Sequence, residues 1–223
     1  MRRSERVGRM DNKEKLIASG VILENPVSIV IYENVEIAPG VRIRPNTIIT
    51  GNTKIAKGCV IGPNTELDNV VVGHSTIIEH SVIKDSTLGS SCHVGPFAHV
   101  RNNTVIGDND RVGNFVEVKN SKVGNCTNAA HLTYIGDTDA GDHVNFGCGV
   151  VTVNYDGKDK HRTNIGSHVF IGCNANLIAP ISIGENAFIA AGSTITDDVG
   201  DSDFAIARSK QTAKRGYASK YKK

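Results

Sequence analysis

The 223-residue sequence has no Trp, 5% aromatic residues and 6 Pro, against 23 Gly. With so few rings, the bulky filling of an ordinary globular core is missing, and smaller side chains must pack the interior. No run reaches the roughly 20 apolar residues of a membrane span, and no apolar stretch follows Met1-Arg2-Arg3 as it would in a signal peptide. Five cysteines, at 59, 92, 126, 148 and 173, form an odd set without a C-x-x-C pair. They argue against a disulfide scaffold or a structural zinc site, and for free thiols in a reducing, cytoplasmic setting. Acid is missing too: after Asp203 the chain carries Arg208, Lys210, Lys214, Arg215, Lys220, Lys222 and Lys223 without one Asp or Glu. The first ten residues hold +3 and this tail +7, so a net charge of +2 leaves −8 on residues 11–203. An acidic body excludes a nucleic-acid groove, which needs clustered positive charge beside aromatic platforms.

What is present is a period. Aliphatic residues recur every six positions at Ile37, Ile43, Ile49, Ile55, Ile61 and Leu67. The frame slips, then resumes through Val72, Ile78, Leu88, Val94, Val100, Ile106, Val112 and Val118, and again from Ile165 to Ile195. Neither helical spacing nor strand alternation gives a period of six. Gly often follows the aliphatic, as at 62, 73, 89, 107 and 124, where a sharp turn leaves no room for a Cβ. Four places after the aliphatic sit small or β-branched residues, among them Thr47, Thr53, Cys59, Thr65, Val71 and Thr104. Aliphatic and small positions both point inward and stack on their equivalents one coil away. Cys92 shares the inward position with Cys59, and both read as core fillers.

This pattern resembles the hexapeptide-repeat proteins, which implies an all-β, left-handed parallel β-helix over about residues 30–200. Residues 1–24 read as a linker with a short helix ending at Gly20, 25–200 as the β-helix, and 201–223 as a basic tail. The longest interruption, 153–164, reads as a loop extruded from the stack. The hexapeptide-repeat fold hosts acyltransferases, zinc carbonic anhydrases and bare scaffolds, so function has to come from the site. Eight histidines offer no pair five residues apart, the spacing a carbonic-anhydrase-type zinc requires, so no metal is expected. Acyl transfer needs a base, a positioned acceptor and an oxyanion partner. Val112-Gly-Asn-Phe-Val-Glu117-Val-Lys119 and Ala130-His131-Leu-Thr-Tyr134-Ile-Gly-Asp137 carry such groups. Fourteen residues separate Glu117 from His131, which is expected to set the carboxylate beside the imidazole on neighbouring coils.

The strings G95-P-F-A-H-V-R101, V112-G-N-F-V-E-V-K119, A130-H-L-T-Y-I-G-D137, V144-N-F-G147, N154-Y-D-G157 and A205-I-A-R208 resemble one family closely. It is the acetyltransferase half of the bacterial bifunctional enzymes that make UDP-N-acetylglucosamine. The resemblance implies acetyl transfer from acetyl-CoA to the amine of glucosamine 1-phosphate, for cell-wall precursors, without a metal. It implies His131 as base and Glu117 as its orienting group, with Asn154 and Tyr155 positioning the acetyl group. Arg101, Lys119, Tyr134, Asn145 and Lys160 would hold the sugar phosphate; Cys148, Asn154, Tyr155, Cys173, Ala191 and Arg208 would line the acetyl-CoA site. It further implies a homotrimer with sites built from adjoining chains.

Cys173 stands where that family usually has Ser, and Cys148 where Ala is usual. No base is paired with either in the matched pattern, so a covalent acetyl-enzyme is not expected. The nucleotidyltransferase half, with its Gly-rich phosphate loop, has no counterpart in the sequence. Uridylyl transfer is therefore not expected, and either a separate nucleotidyltransferase supplies it or the chain is a fragment. Two alternatives stand beside this reading: an acetyltransferase for another amino sugar or hydroxyl acceptor, and a non-catalytic solenoid subunit of a separate nucleotidyltransferase.

Overall fold

A computed structural model describes residues 5–221, with side chains from Asn12 onward; residues 1–4 and 222–223, with Arg2, Arg3, Lys222 and Lys223, lie outside the described residues. The chain opens with a helix, Glu5–Ala18. Gly20, at φ +97, closes it. The Gly20 N–H bonds the Ile17 carbonyl and the Val21 N–H that of Leu16, each at 3.0 Å, the Schellman arrangement that a left-handed residue allows. Leu16 and Val21 are buried and seal the first coil.

From Ile22 the chain winds into a left-handed parallel β-helix. One side is an eleven-stranded parallel sheet running from Ile22–Leu23 to Phe204–Ala205, so the stack continues past residue 200. The remaining strands pair in the same way on the other sides. Register is set rung by rung, as in Val60 opposite Ile77, His93 opposite Arg111, and Arg111 opposite Asn128. The aliphatic hexad positions are buried, Ile43, Ile49, Ile61, Leu67 and Ile171 fully so. Stacked Ile, Leu and Val fill a narrow prism, with Phe146 the one ring buried in it among the described residues, which accounts for the missing Trp.

The small inward position is often Thr because it has a second task. Thr76 Oγ1 donates to the Gly89 carbonyl at 2.8 Å and accepts the Cys92 N–H at 3.1 Å, satisfying backbone groups on the next coil. Cys59 and Cys92 fill the same slot and donate their thiols to Gly73 and Gly107 carbonyls, each at 2.9 Å. Val71 departs from its expected inward place and is 45% exposed, while Val70 is buried. The cause is local: strand Glu66–Val72 turns through left-handed Asn69 at φ +54, and the shortened corner moves the inward slot back one residue. Coils approach so closely at the glycine column that a Cβ on Gly107 would lie 2.7 Å from the Gly124 carbonyl carbon.

Asp110 is a carboxylate deep in the stack, 2% exposed, with Oδ1 accepting the Thr127 N–H at 2.7 Å and Oδ2 the Gly107 N–H at 3.1 Å. Burial pushes its carboxyl up to about 7, against the opposing pull of those two N–H groups. An unfolded Asp titrates near 3.9, so between roughly pH 4 and 7 the folded protein holds a proton the unfolded chain has released. Stability is then expected to fall as pH rises through that window, with a slope of up to ~1.4 kcal/mol per pH unit. Urea unfolding across this range should show the slope in the wild type and lose most of it in Asp110→Asn. An equal slope in both proteins would contradict the assignment.

Candidate active site

One corner of the prism organises the site. The register that sets Asn114 opposite His131 and Ala129 opposite Phe146 carries on to Phe146 opposite Ile171 and Ile171 opposite Ile189. Two residues past the aliphatics, this places Asn114, His131, Cys148, Cys173 and Ala191 in one column, a coil apart at each step. Arg208 closes the column, its Nη1 donating to the Ala191 carbonyl at 2.9 Å. His131 is exposed, and its Nδ1 lies 2.5 Å from Asn114 Oδ1. An amide oxygen only accepts, so Nδ1 carries the proton and Nε2 keeps its lone pair.

Around the corner, the next side carries the charged groups. Arg101 and Lys119 stand opposite each other, as do His99, Glu117 and Tyr134 along their own row. Arg101 places Nε at 2.9 Å and Nη2 at 2.7 Å from Glu117 Oε1. Lys160, reaching in from the extruded loop, lies beside Lys119; the side-chain hydrogen bond between them, then burial and the Lys160 charge, lower the Lys119 ammonium below the usual lysine range. Asp137, 5% exposed, accepts from the Asn120 and Asn154 amides. Burial alone would raise the Asp137 carboxyl; those two amides, with Lys119 and Lys160, bring it below the ordinary aspartate range. Asn154 is itself buried and also donates to the Tyr134 hydroxyl at 3.4 Å. Gly136 makes room for this: a Cβ there would lie 2.6 Å from the Tyr134 ring.

The extruded loop leaves the stack between Val151–Val153 and Thr163–Ile165. It is held from within by Asp156, which accepts the Lys158 and Asp159 N–H groups at 2.8 and 2.7 Å and pairs with His161 Nε2 at 2.7 Å. The His161 contact, with those N–H groups, holds the Asp156 carboxyl far below its usual range. Arg162 clamps the exit with two bonds to Asp139, at 2.9 and 2.7 Å. Tyr155 is 55% exposed, its hydroxyl donating to the Gly157 carbonyl at 2.8 Å.

The structure thus gathers Arg101, Glu117, Lys119, Tyr134, Asn154 and Lys160 on one side and His131, Cys148, Cys173, Ala191 and Arg208 along the adjoining corner. Asn145 lies on the eleven-stranded sheet between Asn128 and Phe170, away from the cations of its own chain. Two expectations change. Within the chain Glu117 pairs with Arg101, and Asn114 is the group on His131. The coil here is seventeen residues, so a fourteen-residue separation falls short of a full coil and the residue stacked on His131 is the one seventeen earlier. The same step sets His131 next to Cys148, which the sequence had left without a neighbouring base. Asn114, Asn120 and Asp137 were not singled out at all. Counting seventeen back from His131 and Asp137 finds Asn114 and Asn120. Among the described residues no three His, Cys, Asp or Glu converge to hold a metal ion, and no helix is long and apolar enough to cross a membrane.

Six-residue turns, in-register rungs and a polar corner define a hexapeptide-repeat β-helix. In agreement, a profile for the bacterial transferase hexapeptide (six repeats) matches residues 162–197, and one for the GMPPB C-terminal domain matches residues 27–130. Over 94% of its length the chain is 56% identical to the bifunctional protein GlmU of Acholeplasma laidlawii, covering 45% of that protein. It is 47% identical to the GlmU proteins of an Exiguobacterium and a Geobacillus species, over 97% of the chain and 48% and 47% of theirs. The chain spans about half the length of these curated relatives, and the matched part is their C-terminal half. The resemblance read from the short motifs therefore holds across nearly the whole chain. Among solved structures, the UDP-N-acetylglucosamine acyltransferase from Campylobacter jejuni matches with a TM-score of 0.50 at 18% identity, covering 79% of this chain and 71% of that one, a likeness of fold.

Replacing Asp137 by Ala leaves two amides without their acceptor, one of them buried, and should cost about 1–3 kcal/mol. Thermal unfolding should show the loss. Gly136→Ala should displace the Tyr134 ring, visible as increased quenching of tyrosine fluorescence by iodide. Wild-type behaviour in both variants would mean that this cluster does not hold the site together.

Proposed function

We propose that the chain transfers acetyl from acetyl-CoA to the amine of glucosamine 1-phosphate, yielding N-acetylglucosamine 1-phosphate. The observation that carries this reading is the gathering of Arg101, Lys119 and Lys160 one corner away from an imidazole with a free Nε2. Bringing two ammonium groups together is unfavourable; the Asp137 carboxylate interacts with both, and a bound dianion relieves the rest. Arg101, held by Glu117, offers a directed fork to a phosphate, while Lys119 and Lys160 act as point charges. A sugar phosphate anchored there can extend its amine around the corner towards His131. The 56% identity to the GlmU protein of Acholeplasma laidlawii over 94% of the chain supports the same assignment.

In the reaction, Nε2 of His131 takes the proton from the amine as its nitrogen attacks the thioester carbonyl; the tetrahedral adduct then breaks its C–S bond, and CoA leaves as the thiol, its sulfur receiving the proton from the imidazolium. Asn114 holds the ring in the tautomer this requires and stabilises the imidazolium that forms. A backbone N–H near Asn154 and Tyr155 meets the developing oxyanion, and the fixed loop spares that dipole from reorganising. The column of Cys148, Cys173 and Ala191, ending at Arg208, gives the pantetheine arm a path along the corner, with the Arg208 guanidinium at the end where the phosphates of the cosubstrate fall. The acetyl group is already activated as a thioester, so no metal is needed. The proposed setting is the cytoplasm, with a homotrimer as the working form. The exposed Phe97 and Phe115, stacked at 5.4 Å beside Leu132 on the same corner, supply an apolar ridge for the adjoining chain.

Thiol release from acetyl-CoA in the presence of glucosamine 1-phosphate is the test. His131→Ala should lower kcat by about 10²–10⁴. Lys119→Ala and Lys160→Ala should raise KM for glucosamine 1-phosphate and leave KM for acetyl-CoA nearly unchanged. Absence of CoA release above background at any protein concentration would sink the proposal; release with glucosamine but not its 1-phosphate would replace the acceptor.

A further inference from the structure

The corner column brings together two thiols far apart in sequence. Phe146 stands opposite Ile171, and the Asn174 N–H bonds the Cys148 carbonyl at 2.8 Å, so Cys148 and Cys173 occupy the same position on consecutive coils. The coils are tight here, since a Cβ on Gly147 would lie 2.6 Å from the Cys173 nitrogen. Adjacent parallel strands lie about 4.8 Å apart. A disulfide needs Cα atoms about 4.4–6.8 Å apart, so the pair falls within reach. Cys173 is exposed and Cys148 partly so. The other cysteines differ: Cys59 and Cys92 are buried with their thiols bonded to carbonyls, and burial raises both, Cys92 to about 11. Cys126 sits on another corner, stacked between Asn109 and His143 rather than beside a thiol. On the near side of Cys148, the next residue in the column is His131.

We propose that Cys148 and Cys173 form a reactive dithiol site that exchanges with small-molecule disulfides and closes to an intrachain disulfide, blocking the corner along which the acyl donor is proposed to lie. The chemistry is thiol–disulfide exchange. Cys148 gives its proton to His131 or to water, and its thiolate attacks one sulfur of the small disulfide. That S–S bond breaks, a mixed disulfide forms on Cys148, and one small thiolate leaves. The Cys173 thiolate then attacks the Cys148 sulfur, closing the protein disulfide and expelling the second small thiol. Two protein thiols are oxidised, and one small disulfide is reduced to two thiols. The stated consequence for activity rests on the acetyltransferase reading, whereas formation of the disulfide does not.

The test uses the full chain incubated with glutathione disulfide, then denatured and read by intact mass and thiol titration. The proposal predicts that the count of free thiols falls from five to three, with a loss of two hydrogens in mass and a linked Cys148–Cys173 peptide, all reversed by dithiothreitol. Cys148→Ala and Cys173→Ser should each prevent closure, the second leaving glutathione attached at Cys148. In the wild type, thiol release from acetyl-CoA should fall by an order of magnitude on oxidation and return on reduction. Five persisting thiols, a bond through any other cysteine, or a bond only between chains would overturn the proposal. A closed, reversible disulfide in a protein that never releases CoA would uphold the dithiol site while removing the acetyltransferase reading.

Discussion

Each coil of this protein satisfies its backbone hydrogen bonds on the coils before and after it, in register. That constraint governs everything else. A side chain's neighbour is the residue one coil away, so columns of like position run the length of the prism. Inward columns are aliphatic or Thr, and the close column of glycines sets the approach of the backbones. A single residue gained or lost in a coil displaces every column it feeds, and the structure absorbs such changes only at corners, as at Asn69, or by extrusion, as between Val153 and Thr163.

The same constraint builds the site from residues distant in sequence. Because rungs repeat, Arg101 meets Lys119, Asn114 meets His131, and Asn120 meets Asp137, each about one coil apart. Like charges are brought close by the backbone rather than by their own attraction, and Asp137 with its two amide donors offsets part of the cost. The extruded loop completes the arrangement: Asp156 and Arg162 make it a fixed arm, and Asn154 ties its root to the stack. The geometry of the proposed site is therefore a property of register together with the loop that completes it.

Much of this was legible in the sequence. The period of six stated the fold, because only a stacked coil needs an aliphatic every sixth residue and Gly beside it. Arg101, Lys119, Tyr134 and Asn154 were legible as members of matched motifs, and Lys160 as a cation on the extruded loop. What escaped was the coil length at each turn. A nominal eighteen-residue coil here shortens to seventeen, which sets Asn114 rather than Gly113 against His131, while Glu117, fourteen back, falls in the row of His99 and Tyr134 on the next side. The left-handed corners were also a missed signal: Asn46, Asn64, Asn109, Asn120, Asn174 and Asn186 all adopt positive φ, where Asn is tolerated best. Marking those Asn residues fixes the corners, and with them the true register and the meeting of His131, Cys148 and Cys173.

Register, completed by the extruded loop, assembles an anion site and a base around one corner, proposed here to take an amino-sugar phosphate. A crystal structure with glucosamine 1-phosphate and CoA bound tests it most directly. The account predicts the phosphate among Arg101, Lys119 and Lys160 and the amine within hydrogen-bond distance of His131 Nε2. A phosphate bound elsewhere, or an amine directed away from His131, would contradict it.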